Sequence, residues 1–161
     1  MKIKFFSVGG TIDKIYFDAL SRYEVGDPNV SDILQNARVN FDYEIISLLK
    51  KDSLDMTEQD RLMVLRAVQN EVNEKIIITH GTDTMIETAA TLTIIKDKVI
   101  VLTGSMEPAK FKTSDAVFNL GFAVAAAQVL PPGIYLAISG RIFTPDNVQK
   151  NRVEKQFEKK M

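Results

Sequence analysis

The sequence predicts an α/β fold, a three-layer sandwich in which a mainly parallel sheet is flanked by helices. Three observations carry that expectation. Short runs rich in β-branched and aromatic residues alternate with longer segments of helical spacing. Three of the strand-like runs leave through glycine onto hydroxyls or acids, at "FFSVGGTID" (5–13), "THGTDT" (79–84) and "LTGSMEP" (102–108). The chain has 161 residues, 45% of them apolar and 25% charged. One soluble domain over residues 1–161, with a real buried core, follows from that size and composition.

Taken in order, a first strand over 3–8 ends at Gly9-Gly10, a pair that permits a sharp exit because glycine reaches backbone angles closed to other residues. A helix is expected over 30–37 and a strand over 43–49. The helix over 57–72 opens with Thr57 and, three residues later, Asp60, the pattern of a capping box. A strand over 75–79 leads to a helix over 83–95. A strand over 99–103 then precedes an alanine-rich helix over 114–129 that Ser114 or Asp115 can cap. Pro131-Pro132-Gly133 ends that helix, since proline lacks the amide a helix needs. The last strand is expected over 133–139. Residues 152–161, mostly lysine, glutamate and arginine, read as a solvated or frayed helix. Strand and helix in alternation imply right-handed crossovers.

Composition narrows the function. Twenty basic and 21 acidic residues leave a net charge of −1, which offers no electrostatic case for nucleic acid or an anionic membrane, so a small-molecule partner is expected. There is no cysteine, and His80 is the only histidine. Disulfides, thiolate sites and a cysteine nucleophile are excluded, a histidine cluster or Ser/His/Asp triad is disfavoured, and no metal or cofactor is expected. The opening run has neither the apolar span of a membrane helix nor the form of a signal peptide, and a cytoplasmic protein is expected.

In a parallel sheet the three glycine-rich exits gather at one edge, where open α/β sheets bind ligands. A hydroxyl is a poor nucleophile without a neighbouring base or strong acceptor. With one histidine, that group must be a lysine, tyrosine or carboxylate, and Asp83, Lys150 and either Tyr16 or Tyr23 are the candidates. A lysine serves as a base once burial or a cationic neighbour favours its neutral form. Lys150 and Asp83 fit a structural ion pair equally well. Thr11, Thr82 and Asp83 also have a plain alternative as helix caps, His80 reads as a packed structural residue, and Ser105 and Met106 read as crevice floor.

The blocks "GGTID" (9–13), "SRYEVGDP" (21–28), "HGTDTMIETAATL" (80–92), "LTGSMEP" (102–108) and "DNVQKN" (146–151) resemble, in order, those of bacterial-type L-asparaginases. The resemblance covers the amino-terminal domain of that family, and the carboxyl-terminal domain that normally follows is expected to be absent. It implies an amidohydrolase that converts asparagine or a related small amide to an acid and ammonia, assembled as a homo-oligomer. Carried over residue by residue, it implies Thr11 as nucleophile, Tyr23 in a mobile loop as its helper, and Thr82, Asp83 and Lys150 as a second catalytic group. Ser53 is implied to hold the substrate carboxylate, with Gly10, Gly81 and Ser105 lining the substrate. Leu54 stands where the family usually carries a glutamine that contacts the substrate amino group, and leucine offers no hydrogen bond. That departure keeps open a second expectation, a weak or inactive ligand-binding or assembly module derived from such an enzyme.

Overall fold

Residues 1–161 are described by a computed structural model. In chain order, β1 (Lys2–Gly9) is followed by the hairpin of β2 (Lys14–Phe17) and β3 (Arg22–Val25), then by α1 (Val30–Asn36) and β4 (Asp42–Lys51). Next come α2 (Glu58–Asn70), β5 (Lys75–Thr79), α3 (Met85–Thr91) and β6 (Val99–Thr103). The chain ends with α4 (Ala116–Val129), β7 (Gly133–Ile138), β8 (Arg141–Phe143), β9 (Gln149–Asn151) and β10 (Gln156–Glu158). The central sheet has six strands in the order β4-β1-β5-β6-β7-β8. All neighbours are parallel except β7 and β8. No helix is long and apolar enough to cross a membrane.

β1 lies between β4 and β5 and is buried at every position after Lys2, which is why it reads as a nearly continuous apolar run. Its one buried cation, Lys4, sits 3.0 Å from Glu44 on β4 and 3.2 Å from Glu71. Two cores follow from the two faces of the sheet. Residues of α1 and α4, among them Val30, Leu34, Leu120 and Ala123, pack with Phe5, Ile77 and Val101 on one face. Val64 and Val68 of α2 and Met85 and Leu92 from α3 and the turn after it pack with Phe6, Ile78 and Leu102 on the other.

This division overturns one expectation. The steps β5 to β6 and β6 to β7 run the same way across the sheet, yet α3 and α4 lie on opposite faces. The two crossovers therefore have opposite hands. The α1, α2 and α3 connections share one hand, and α4 is the exception to the usual right-handed rule. The long stretch 104–115 before α4 gives the chain room to reach the opposite face. Asp115 holds the start of that stretch, accepting the Met106 and Glu107 amides at 3.0 and 3.1 Å.

Helix boundaries follow local chemistry. The Thr57 and Asp60 capping box is present, with Thr57 accepting from the Asp60 amide and Asp60 from the Thr57 amide. Ser114 Oγ accepts from the Ala116 amide at 3.1 Å, whereas Asp115 turns its carboxylate toward the preceding loop. The helix expected from residue 83 begins at Met85 and ends at Thr91, with a 3-10 turn over Leu92–Ile94.

The chain end needs a larger correction. Residues 152–161 are not a frayed helix; β9 and β10 form an antiparallel hairpin in which Phe157 pairs with Lys150. Phe157 is buried in the core that α2 and α3 share with the sheet. A single anchoring aromatic inside a charged segment carries no helical or strand periodicity to read. Phe157→Ala is expected to cost about 3 kcal/mol of stability, checked by urea unfolding; an unchanged midpoint would return the segment to a frayed tail.

Candidate active site

The site is built where β1 and β5 end side by side, at the point where the strand order reverses direction. Ser7 is in register with Thr79, so the chain leaves β1 through Gly9-Gly10-Thr11 beside His80-Gly81-Thr82. Gly10 has φ 87°, and a Cβ there would fall on the backbone of Gly81. Its amide donates to the Lys51 carbonyl at 2.9 Å. Gly81 is confined in turn, since a Cβ on it would lie 2.6 Å from both Cβ and Oγ of Ser53. Only glycine at both positions lets the two exits touch, and that contact sets Thr11 near Thr82.

Thr11, Thr82, Asp83, Met106, Lys150, Arg152 and Lys155 line one cavity of about 260 Å³. The Lys150 ammonium donates to Thr82 Oγ1 and to Asp83 Oδ1, each at 2.8 Å. Its side chain is 13% exposed, against 32% for Asp83, so the pair is partly shielded from water. Because Thr82 Oγ1 accepts from the lysine, its own proton is left for another acceptor; within the protein it meets only Met106 Sδ at 3.8 Å. No group of three or more His, Cys, Asp or Glu side chains is arranged to hold a metal ion.

His80 shapes the second exit. It is fully buried, with Nδ1 2.7 Å from the Gly81 carbonyl and Nε2 2.7 Å from Thr88 Oγ1. A carbonyl only accepts, so Nδ1 carries the proton and Nε2 accepts from the Thr88 hydroxyl. Burial pushes its pKa down to about 4, which leaves a neutral, fully bonded ring and no free base.

Asp13 was not singled out from the sequence, yet it anchors the first exit. Buried completely, its carboxylate accepts from Ser7 Oγ at 2.9 Å and from the Asn29 amide at 2.8 Å. Its carbonyl accepts from the Gly26 amide at 2.8 Å, and Asn29 Nδ2 donates to the Ile12 carbonyl at 3.2 Å. Both ends of segment 14–28 are thus pinned next to Thr11. Burial dominates the carboxyl's environment and pushes its pKa up to about 6. Asn119 does similar work at the third exit, donating to the Gly104 carbonyl at 2.9 Å and accepting from the Ser139 amide at 2.9 Å. The Asp115/Asn119 spacing, one helical turn at the start of α4, is the signal that was there to find.

The remaining expected residues are placed differently. Tyr23 lies on the β2–β3 hairpin, its ring 5.5 Å from Tyr16 and 5.8 Å from Phe111. It lines a separate, larger cavity of about 670 Å³ with Lys14, Lys50 and Asp52 among others, so it is not gathered with Thr11. Ser53 is buried and its hydroxyl has no hydrogen-bond partner. Leu54 beside it is 62% exposed. Ser105 is buried and donates to the Glu107 carbonyl. It folds its loop rather than lining the Thr11 cavity.

Residues 2–157 match the family described as Asparaginase, N-terminal. An L-asparaginase of Thermococcus kodakarensis is 35% identical over 162 residues, covering 93% of this chain and 48% of the relative. A solved structure of the thermostable enzyme from that organism superposes with a TM-score of 0.85 at 31% identity, over 99% of this chain and 51% of the other. A probable cytoplasmic L-asparaginase from Campylobacter jejuni superposes at TM-score 0.72 and 30% identity, over 92% and 48% of the two chains. A probable periplasmic L-asparaginase of Haemophilus influenzae is 34% identical over 64% of this chain and 32% of its own length. The first two relatives are therefore matched over about half of their length.

The folded state keeps the Asp13 proton up to about pH 6, while an unfolded chain releases it near pH 4. Asp13 therefore costs stability increasingly as pH rises from about 4 to about 6. Relative to the parent, Asp13→Asn is expected to gain on the order of 2–3 kcal/mol across that window, read as a widening difference in unfolding free energy. A difference that stays constant with pH would mean that Asp13 is ionised throughout.

Proposed function

We propose, for a chain that belongs to the asparaginase family through its N-terminal domain, an amidohydrolase centre of the L-asparaginase type. Its substrate is asparagine or a related small amide, converted to an acid and ammonia. The observation that carries this reading is the single cavity lined by Thr11, Thr82, Asp83 and Lys150, with the lysine 2.8 Å from both a threonine hydroxyl and a carboxylate.

In the proposed reaction, Thr11 Oγ adds to the amide carbon and its proton passes to the departing nitrogen, so ammonia leaves and an ester forms on Thr11. Water then adds to the ester, releases the acid and returns the proton to Thr11, so one amide and one water give one acid and one ammonia. Backbone amides near Thr11 and Thr82 stabilise the oxyanion. Lys150 orients Thr82 by donating to its oxygen, and the free Thr82 proton points to the reacting group. Gly10 and Gly81 serve the site by letting the two strand exits touch, which sets Thr11 beside Thr82, and Ser105 folds the third exit loop through the Glu107 carbonyl. The buried, unpartnered Ser53 hydroxyl is the acceptor-seeking group for the substrate carboxylate, since orphaned buried polar atoms are rare without a role. Tyr23 reaches Thr11 only after the β2–β3 hairpin leaves its contact with Phe111.

A second reading, a ligand-binding or assembly module without turnover, is favoured by Tyr23, which lines a different cavity from Thr11. Self-association into a homo-oligomer is part of the proposal under either reading. It is supported by the outer face of α4, where Val117 and Phe118 are exposed and suited to cover a second copy. A cytoplasmic setting is also proposed, supported by the description of the Campylobacter neighbour, although the Haemophilus relative is described as periplasmic.

Ammonia release by purified protein tests the reading. Thr11→Ala is expected to lower kcat by on the order of a thousandfold and Thr82→Val by on the order of a hundredfold. Turnover that survives both substitutions would remove the threonines from the chemistry, and no turnover of any small amide would favour the binding module.

A further inference from the structure

The two edges of the central sheet are built differently. One is β8, three residues long and opening on Arg141. The other is β4, ten residues long and paired on one side only, with β1. At about 3.3 Å per residue, that leaves about 30 Å of strand whose outward amides and carbonyls have no ladder partner. Proteins usually blunt such an edge with a proline, a charge in mid-strand or a bulge. β4 has no proline, and its pairing with β1 is regular from Asp42 to Ser47, with the one irregularity beyond that point. Its middle reads Ile45-Ile46-Ser47-Leu48-Leu49, without a charge, and none of its ten residues is buried. Ile46 is 37% exposed and belongs to neither core.

Charge is confined to the two ends of β4 and has opposite sign there, with Asp42 and Glu44 at the start and Lys50 and Lys51 at the end. Glu44 is met by Lys2 and Lys4, and Lys51 by Asp60, within the chain. Asp42 makes no salt bridge. Lys50 meets only Asp27, whose side chain is 88% exposed, and so exposed a pair is exchanged at little cost.

We infer that β4 pairs edge to edge with β4 of a second copy, antiparallel about a two-fold axis at Ile46. In that register Asp42 lies opposite the second copy's Lys50, Tyr43 opposite its Leu49, and Ile46 opposite itself. The two-fold makes each of the first two pairs twice. Opposite charges facing each other across strands stabilise the pairing, and like charges oppose it. A parallel, in-register pairing would set acid against acid and lysine against lysine, so the charge pattern selects the antiparallel one. The inference rests on the self-association proposed above and gives it an interface apart from the α4 face, since α4 packs over β5, β6 and β7.

Sedimentation equilibrium of the whole chain over a range of concentrations tests the pairing. The parent is expected to rise from 18.0 kDa toward twice that mass as concentration increases. Asp42→Lys or Lys50→Asp alone places like charges opposite each other at both ends, and each is expected to raise the dissociation constant about tenfold. The double variant Asp42→Lys/Lys50→Asp restores opposite signs and is expected to return it to within about threefold of the parent. Ile46→Lys sets two ammoniums against each other on the axis, at a position already exposed, and is expected to leave an 18.0 kDa monomer. A dimer that survives Ile46→Lys would overturn the inference; its loss in Phe118→Glu would then assign self-association to α4. Single charge variants that associate like the parent, or a double variant no tighter than the singles, would also overturn it. A parent that stays at 18.0 kDa throughout would overturn both the pairing and the proposed self-association, and would leave the edge to a strand of another protein.

Discussion

The contact between Gly10 and Gly81 is the constraint on which the rest of the site depends. Two adjacent parallel strands normally diverge as their chains turn off in different directions. Here their exits touch backbone to backbone, because neither position carries a Cβ and Gly10 takes a positive φ. Thr11 and Thr82 follow immediately on the two glycines, so the distance between the hydroxyls is set by the main chain rather than by flexible side chains. Ser53 closes the arrangement from below, filling the only space a side chain on Gly81 would use. Asp13 and His80, each buried with its hydrogen bonds made internally, keep the two turns from relaxing.

The third contribution comes from far along the chain. Lys150 belongs to a three-residue strand held by buried Val148 just before it and by its cross-strand partner Phe157. Two apolar side chains in the core thus position the ammonium that meets Thr82 and Asp83. The same turn carries Arg152 and Lys155 to the cavity mouth, so anchoring and charge are delivered by one short hairpin. This couples local stability to electrostatics: loosening Phe157 would move three of the four charges around the crevice.

Much of this was legible in the sequence, for identifiable reasons. Buried parallel strands such as 75–79 and 99–103 are unbroken β-branched runs, and the Thr57/Asp60 capping box marks the start of α2 within one residue. The residues Thr11, Thr82, Asp83 and Lys150 announced themselves through glycine-hydroxyl exits and ordered motif blocks, and the structure gathers all four. What escaped was information that local pattern does not hold. The exposed β2–β3 hairpin has no buried face to impose alternation, so the loop carrying Tyr23 had no readable shape. The hand of the α4 crossover depends on which face each helix packs against, and no single segment encodes it. Residues 152–161 read as solvated because their charges outnumber the one buried phenylalanine that matters, and Asp13 carries no local signal that it is the best-buried carboxylate beside the site.

The central claim is that the glycine contact presents Thr11 as the group that takes the acyl chain. Quenched-flow mass measurement during turnover of a small amide, followed by peptide mapping, tests it most directly. A transient acyl mass is expected on the peptide that contains Thr11, lost when that residue is alanine. An acyl group mapped to Thr82 or to any other hydroxyl, with Thr11 unmodified, would contradict it.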